Sequence, residues 1–329
     1  MLTHTLDVAL TRFRFLRSKI DEVVTYDMLK KLKSHWVGYR GERNPYTKRA
    51  GLAGIDSGYN YVEYRGYAIY VLNSVAVLLS EEGEDIIDGV IDIDIAATSN
   101  IDYELSLLSL CAEVQLMEKA MRRADVVLVD GSLVAVYSKL YRASMDNGLE
   151  ILDSKGVNVS EALKKLIYMV TLNPRKFVFI SKNSSAKDLL GFVKGDVYYL
   201  ERYTDFASGY TKPIDLQYSK HLGVATVARS FKRYARNLTG LDTTIYLTYA
   251  RFSDFARVYR VEFVSESGED SEDRIRFLFK TLSDVLISGY PYPLARAHSL
   301  ARVGDRDIER IAVLLGVSKD PRGREELLL

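Results

Sequence analysis

The sequence predicts an α/β protein, a mixed sheet flanked by helices. Three observations carry that class. Short apolar runs closed by turn residues recur, among them Val127-Leu128-Val129 before Asp130-Gly131-Ser132 and Phe177-Val178-Phe179-Ile180 within Lys176–Lys182. Such runs read as buried strands. Asp102 to Arg123 has helical periodicity, and the order strands, helix, strand, helices, strand leads to residue 182. That alternation fits helices packed on a sheet.

Residues 3 to 37 read as helical, with Leu6, Leu10, Phe13, Leu16, Arg17 and Ile20 at helical spacing. The apolar stripe Leu6, Leu10, Phe13, Ile20 is expected to pack on the core. Gly38 to Ala50 is polar and basic with Gly and Pro, a linker or exposed loop. Leu52–Ser57, Tyr61–Leu79 and Ile86–Ala96 read as strands. Ile91-Asp92-Ile93-Asp94-Ile95 alternates strictly, which puts Asp92 and Asp94 on the solvated face of a half-buried strand. Alternation explains both, so neither enters a site. After the helix and the strand ending at Asp130 come helical segments over 133–146 and 159–172 and the short strand at 176–182. Residues 196 to 264 read largely as strand, with Thr243–Tyr249 and Arg257–Val264 as a hairpin that puts Tyr259, Val261 and Phe263 on one face. Residues 270 to 317 return to helix. The chain divides into an N-terminal helical region with its basic loop, 1–50, and a main domain with insertions, 51–329.

Composition bounds the function. The chain has 329 residues, 47% apolar and 27% charged, enough for one large or two moderate cores. No run approaches the ~20 apolar residues of a membrane span, and the N-terminus lacks a signal pattern, so a cytoplasmic protein is expected. A net charge of +1 argues against a protein that coats duplexes and confines nucleic-acid contact to a local groove. The single Cys111 excludes an intrachain disulfide and a cysteine-rich zinc site, and its apolar helix makes it a core thiol. Only two Gln and one Cys occur, a depletion that fits a thermophile.

The chemistry lies in three carboxylates. Gly54-Ile55-Asp56-Ser57-Gly58 and the run ending Asp130-Gly131-Ser132 each place an aspartate where an apolar run stops, at the rim of a sheet. One such Asp alone reads as a turn starter; two together point to a hard divalent cation. On the helical wheel Glu113 lies in the middle of the apolar arc. Leu110, Val114, Met117 and Met121 flank it on one side and Ala112, Leu116 and Ala120 on the other. Glu104, Gln115, Glu118 and Arg122 form the solvated face. An ionised carboxylate in that arc needs a cation or a basic partner. A buried salt bridge is the plainer reading, and the two aspartates favour a metal. Oxygen ligands suit Mn²⁺ or Mg²⁺ better than zinc. His298, about one turn into a helix that begins near Pro293, is the histidine able to complete the set; on its own residues it reads as a solvated or packed helix residue.

These segments, followed by Ile180-Ser181-Lys182 and by Tyr290-Pro291-Tyr292-Pro293 with Ala297-His298, resemble in order and spacing the NurA nucleases, and most of all the archaeal members, from residue 50 onward. The resemblance implies a ribonuclease-H-like core acting as a homodimer. It implies Mn²⁺- or Mg²⁺-dependent degradation of single- and double-stranded DNA, as a 5′-to-3′ exonuclease and single-strand endonuclease. It also implies DNA end resection for homologous recombination alongside the hexameric HerA translocase. Asp56, Glu113 and Asp130 become metal ligands, His298 joins the site, Tyr290 stands beside the metals, and Lys182 lies near the substrate.

Arg229-Ser230-Phe231-Lys232-Arg233-Tyr234-Ala235-Arg236 interleaves basic and aromatic residues, a pattern able to track phosphates and stack on bases. Arg40, Arg43, Lys48 and Arg49 form a second cluster before the Asp56 strand. The rival enzyme class is an actin-like or sugar-kinase-like ATPase, which also places Asp-Gly loops after strands. Its Gly-rich adenosine loop is missing here, and it leaves Glu113 without a role. A non-enzymatic adaptor of a DNA motor, with the carboxylates in salt bridges, is the third reading.

Overall fold

A computed structural model of the chain describes residues 3–20, 24–39, 50–146, 148–266 and 271–319. In chain order its elements begin with α1 (Thr3–Thr11), α2 (Phe13–Ile20) and α3 (Tyr26–His35), then strands β1 (Trp36–Gly38), β2 (Leu52–Tyr64), β3 (Tyr67–Ser80) and β4 (Gly83–Ala96). Helix α4 (Ile101–Ala120), strand β5 (Val126–Asp130), helices α5 (Leu133–Ala143), α6 (Glu150–Ser154) and α7 (Val159–Leu172), and strand β6 (Phe177–Ser181) follow. Next come α8 (Asp196–Tyr203), β7 (Gly209–Thr211), β8 (Ile214–Asp215), α9 (Leu222–Thr239), β9 (Thr243–Arg251) and β10 (Tyr259–Glu266). The chain closes with α10 (Ser271–Leu282), β11 (Leu286–Ile287), β12 (Tyr290–Pro291), α11 (Tyr292–Ala301) and α12 (Asp305–Leu314).

Ten strands form one mixed sheet in the order β1-β7-β9-β10-β6-β5-β2-β3-β4, with β8 beside β9. β2, β3 and β4 make an antiparallel meander. β5 runs parallel to β2 and β6 parallel to β5, while β10 returns antiparallel to β6. The run β4-β3-β2-β5-β6 is the ribonuclease-H-like arrangement. Because strand side chains alternate between faces, each central strand feeds two cores. Ala53, Ile55, Val127, Val129, Phe177 and Phe179 pack with α4, α5, α7 and α9 on one side. Leu52, Leu128, Val178 and Ile180 pack with α10 and α11 on the other. Each such fully buried side chain contributes ~1.5–3 kcal/mol.

Several expectations need correction. Tyr61–Leu79 is not one strand: the chain turns at Arg65-Gly66, where Gly66 takes φ +103° and divides β2 from β3. Residues 196 to 264 are not largely strand, since α8 and the 18-residue α9 occupy much of the span. Ala225, Ala228, Phe231 and Ala235 line the buried side of α9 at helical spacing, three of them too small to mark the period strongly. Residues 270 to 317 are interrupted by the β11–β12 hairpin. Glu104 is not solvated: it is buried, accepting from Thr98 Oγ1 at 2.7 Å and from Ile151 N–H at 2.7 Å. The N-terminal stripe does not pack on the core, for Leu6, Leu10 and Phe13 are exposed; the side chain of Ile20 lies outside the described ones. On β4 the alternation holds but not the half-burial. Ile91, Ile93 and Ile95 are exposed, because α11 and α12 cover β2 and β3 and leave this edge strand open. Cys111 is buried, as read. No helix among the described residues is long and apolar enough to cross a membrane.

Candidate active site

The sheet has a step where β5 stops at Asp130 while β2 continues. The parallel register ends at Ile55↔Val129, so Asp56 and Asp130 are the next residues on neighbouring strands. Asp130 is a strand end, as expected. Asp56 is not: β2 is 13 residues long and runs on to Tyr64, paired with β3 throughout. Its carboxylate reaches a rim because the neighbouring strand stops, not because its own does. Gly131 follows Asp130 with φ +125°, a conformation that suits glycine, and donates its N–H to the Ile180 carbonyl at 3.0 Å. Ser132 then caps α5 and hydrogen-bonds the buried Glu262 carboxylate, which also accepts from Val134 N–H at 3.0 Å. Arg260 bonds that carboxylate through Nε at 2.5 Å.

α11 supplies the histidine. A Cβ on Gly54 would stand 2.3 Å from the Pro293 carbonyl carbon, and one on Gly58 would stand 2.6 Å from the Ala301 carbonyl oxygen. The two glycines share the face of β2 that carries Asp56. They let the α11 backbone lie against the strand on either side of it. His298 Nδ1 then meets Asp56 Oδ2 at 2.7 Å. Asp56, Asp130 and His298 each offer a ligand atom within 4.8 Å of the others.

Around this trio stand the remaining predicted residues. Lys182 Nζ donates to Asp130 Oδ2 at 2.6 Å and sits 4.7 Å from the centre of the Tyr290 ring. The Tyr290 hydroxyl donates to the same oxygen at 3.4 Å. Glu113 approaches from α4, on the opposite face of the sheet. It lies outside the trio and connects to it through Ser57, whose Oγ donates to Glu113 Oε1 and whose N–H donates to Asp56 Oδ1 at 2.8 Å. Ser57 was missed in the sequence, although alternation along β2 turns it toward α4 when Asp56 turns toward α11. Glu262 was missed too; a lone carboxylate between Val261 and Phe263 was the available signal.

Electrostatically the cluster lacks positive charge. Burial pushes the Glu113 carboxyl up to about 8, with Asp56 and Asp130 adding to the rise and the Ser57 hydroxyl opposing it. Burial and then Asp130 raise Asp56, partly offset by His298. Burial and Asp130 push the Tyr290 phenol well above its ordinary value. Carboxylates crowded until their ionisation is resisted fit a divalent cation, which restores it. The donor set, mostly hard oxygen with one imidazole, fits Mn²⁺ or Mg²⁺.

The structure does not bring the predicted DNA-binding residues into this cluster. Arg229, Arg233 and Arg236 are exposed on α9, and Lys232 pairs with Asp242 at 3.2 Å. Phe231 is fully buried and stacks on no base; Tyr234 packs edge-on against Tyr141. Arg40, Arg43, Lys48 and Arg49 lie outside the described residues.

A ribonuclease-H-like sheet with two aspartates and a histidine gathered at its step defines the class, a metal-dependent nuclease. Residues 51–303 match the NurA domain, and the chain belongs to the NurA family. It is 28% identical to the DNA double-strand break repair nuclease NurA of Sulfolobus acidocaldarius, over 88% of this chain and 86% of that one. To the protein so named from Sulfurisphaera tokodaii it is 27% identical, over 92% and 91% of the two chains. The crystal structure of the NurA nuclease from Sulfolobus solfataricus superposes with a TM-score of 0.71 at 22% identity, over 96% of this chain and 97% of that one. A crystal structure of NurA bound to dAMP and manganese gives 0.59 at 12% identity, with both chains fully covered.

Proposed function

We propose that this chain hydrolyses DNA phosphodiester bonds with Mn²⁺ or Mg²⁺, as a 5′-to-3′ exonuclease and single-strand endonuclease in the resection of DNA ends. The observation that carries this reading is the convergence of Asp56, Asp130 and His298, from a continuing strand, a strand end and a helix, to within 4.8 Å. The relatives named as double-strand break repair nucleases support the substrate, and the relative holding dAMP and manganese supports the metal.

Asp56, Asp130 and His298 would hold the ion, with Glu113 behind Ser57 completing the negative field. When bound, such an ion activates water and neutralises charge on a phosphoryl oxygen. The chain's own groups do the rest. The Lys182 ammonium, on Asp130, offers positive charge to an entering phosphate. The Tyr290 phenol keeps its proton because burial and Asp130 resist its loss, so it remains a hydrogen-bond donor. His298 Nδ1 fixes the orientation of the Asp56 carboxylate, and Ser57 ties that of Glu113 to the same strand. The exposed arginines of α9 are the proposed track for the backbone of the strand, together with the basic residues of 40–49. The nuclease body is read as 51–329, and the unit as two copies served by a HerA-like hexameric ATPase.

The test is incubation of purified protein with end-labelled single- and double-stranded DNA in Mn²⁺, Mg²⁺ or EDTA. Cleavage with either metal and none in EDTA is expected; cleavage that persists in EDTA overturns the metal-dependent reading.

A further inference from the structure

Two apolar surfaces are left exposed, at opposite ends of the sheet. On α1 and α2, Leu6, Val8, Leu10, Phe13 and Leu16 are 44% to 71% exposed. On β4, Ile86, Ile91, Ile93 and Ile95 are 49% to 75% exposed. Monomeric soluble proteins rarely leave contiguous apolar patches of this kind open, and β4 also presents a long unpaired strand edge.

The two surfaces match. Residues 3–20 span ~27 Å as helix at ~1.5 Å per residue. Ile86 to Ile95 span ~30 Å at ~3.3 Å per residue along a strand. Their charges are opposite as well. Glu81, Glu82, Glu84, Asp85, Asp88, Asp92 and Asp94 fall in and just before β4 with no Lys or Arg among them. Lys119, Arg123, Lys155 and Arg296 answer only part of that charge. From Thr3 to Arg17 the helices carry Arg12, Arg14 and Arg17 against Asp7.

They do not meet within one chain. α3 leads directly into β1, at one edge of the sheet, and β4 is the other edge. Eight strand spacings of ~4.8 Å put these edges ~38 Å apart. Residues 21–25, between α2 and α3, reach at most ~18 Å. The tip of α1 can approach β4, but the stripe cannot lie along it.

We propose that α1 and α2 of one copy lie along the isoleucine face of β4 in a second copy, and that a two-fold axis repeats the contact in the other direction. The contact is isologous, so it closes at two chains. This rests on the two-copy reading above for the number of chains and adds the surfaces that join them.

The test uses the full chain and no DNA, so it is independent of nuclease activity. Sedimentation of the wild type is expected at twice the 37.3 kDa of one chain. Leu10→Asp with Phe13→Asp, and separately Ile91→Lys with Ile93→Lys, are expected to weaken association at least about thirtyfold, with unchanged circular dichroism. Mixing a Phe13→Cys chain with a differently tagged Ile93→Cys chain and adding a short bismaleimide is expected to give a covalent heterodimer; Cys111 is buried and does not compete. A wild type that stays monomeric overturns both the two-copy reading and these surfaces. A dimer that survives either substituted pair, or that gives no heterodimer, overturns the surfaces alone. So does a dimer unaffected by the α1–α2 pair when that pair abolishes association with a ring ATPase.

Discussion

His298 Nδ1 and Asp56 Oδ2 lie 2.7 Å apart although 242 residues separate them in sequence. Two glycines make that contact. Gly54 and Gly58 flank Asp56 on one face of β2, and the α11 backbone occupies the volume their side chains would fill. Gly54→Ala places a Cβ 2.3 Å from the Pro293 carbonyl carbon, an atom of the backbone that cannot rotate away. Overpacking of this kind costs about 1–3 kcal/mol, and it moves α11 off the strand. The expected outcome is a lower melting midpoint together with a loss of cleavage at least as large as that of His298→Ala, read by thermal denaturation and by release of labelled nucleotide. Wild-type cleavage in a folded Gly54→Ala variant refutes the link between the close approach and the site.

Ser57 separates ligand from support. Asp56→Ala and Asp130→Ala remove members of the trio and are expected to nearly abolish cleavage in proteins that remain folded; Glu113→Ala is expected to do the same. Ser57→Ala leaves every carboxylate in place and removes the hydroxyl that joins Glu113 to β2. Losing such a support costs about 10–100-fold in metal affinity or activity. A titration of cleavage against Mn²⁺ distinguishes the two classes, with Ser57→Ala recovering at high metal and Asp56→Ala not. Equal activity of Ser57→Ala and wild type at limiting Mn²⁺ removes the supporting role.

How the site could be read from the sequence follows from how local each cause is. Asp130 was legible because the run Val127-Leu128-Val129 ends in a Gly-Ser turn, all within a few residues. Asp56 was found for a partly wrong reason, since the strand continues through Gly58 and a Tyr-rich stretch that carries little burial signal. Its rim position is set by where β5 stops, a fact 70 residues away. His298 had no local signature at all and came only through the family resemblance, because the glycines that admit α11 belong to another element. α9 was read as strand because Ala225, Ala228 and Ala235 mark its buried side too weakly. The exposed stripe of α1 and the open face of β4 were predicted to be covered, and in one chain they are not; periodicity tells which side of an element is apolar and leaves open what covers it.

Glu113 gives a pH signature without metal. Its carboxyl has a folded-state value of about 8 against 4.5 for an ordinary glutamate. A raised folded value means the unfolded chain releases this proton first. The associated stability is therefore complete below about 4.5 and is lost as pH rises through about 8. Asp56 is shifted in the same direction. In EDTA the melting midpoint is expected to fall as pH rises across this window, and Glu113→Gln is expected to flatten the fall. Mn²⁺ at fixed pH is expected to raise the midpoint, because it binds the folded state, and to raise it most at the alkaline end, where the carboxylates are free of protons. A metal-free midpoint that climbs steadily from 4.5 to 8 contradicts the raised value.

Sustained digestion of long duplex needs a source of work this chain does not carry. Single-strand access requires opening the duplex, at about 1.4 kcal/mol per base-pair step in stacking. The sequence has no Gly-x-x-x-x-Gly-Lys-Ser/Thr phosphate loop, the signature of a common class of ATP-driven motors. The site itself is a small cluster at one step of a sheet, built to hold an ion and one phosphate rather than to melt base pairs. The expected outcome is limited trimming of kilobase duplex by the purified chain with Mn²⁺, and rapid digestion once a HerA-like ring and ATP are added. Replacing ATP with a non-hydrolysable analogue is expected to return the rate to the unassisted level, while cleavage of short single strands stays independent of both. Complete digestion of kilobase duplex by the chain alone, at a rate the ring does not change, removes the need for an external motor.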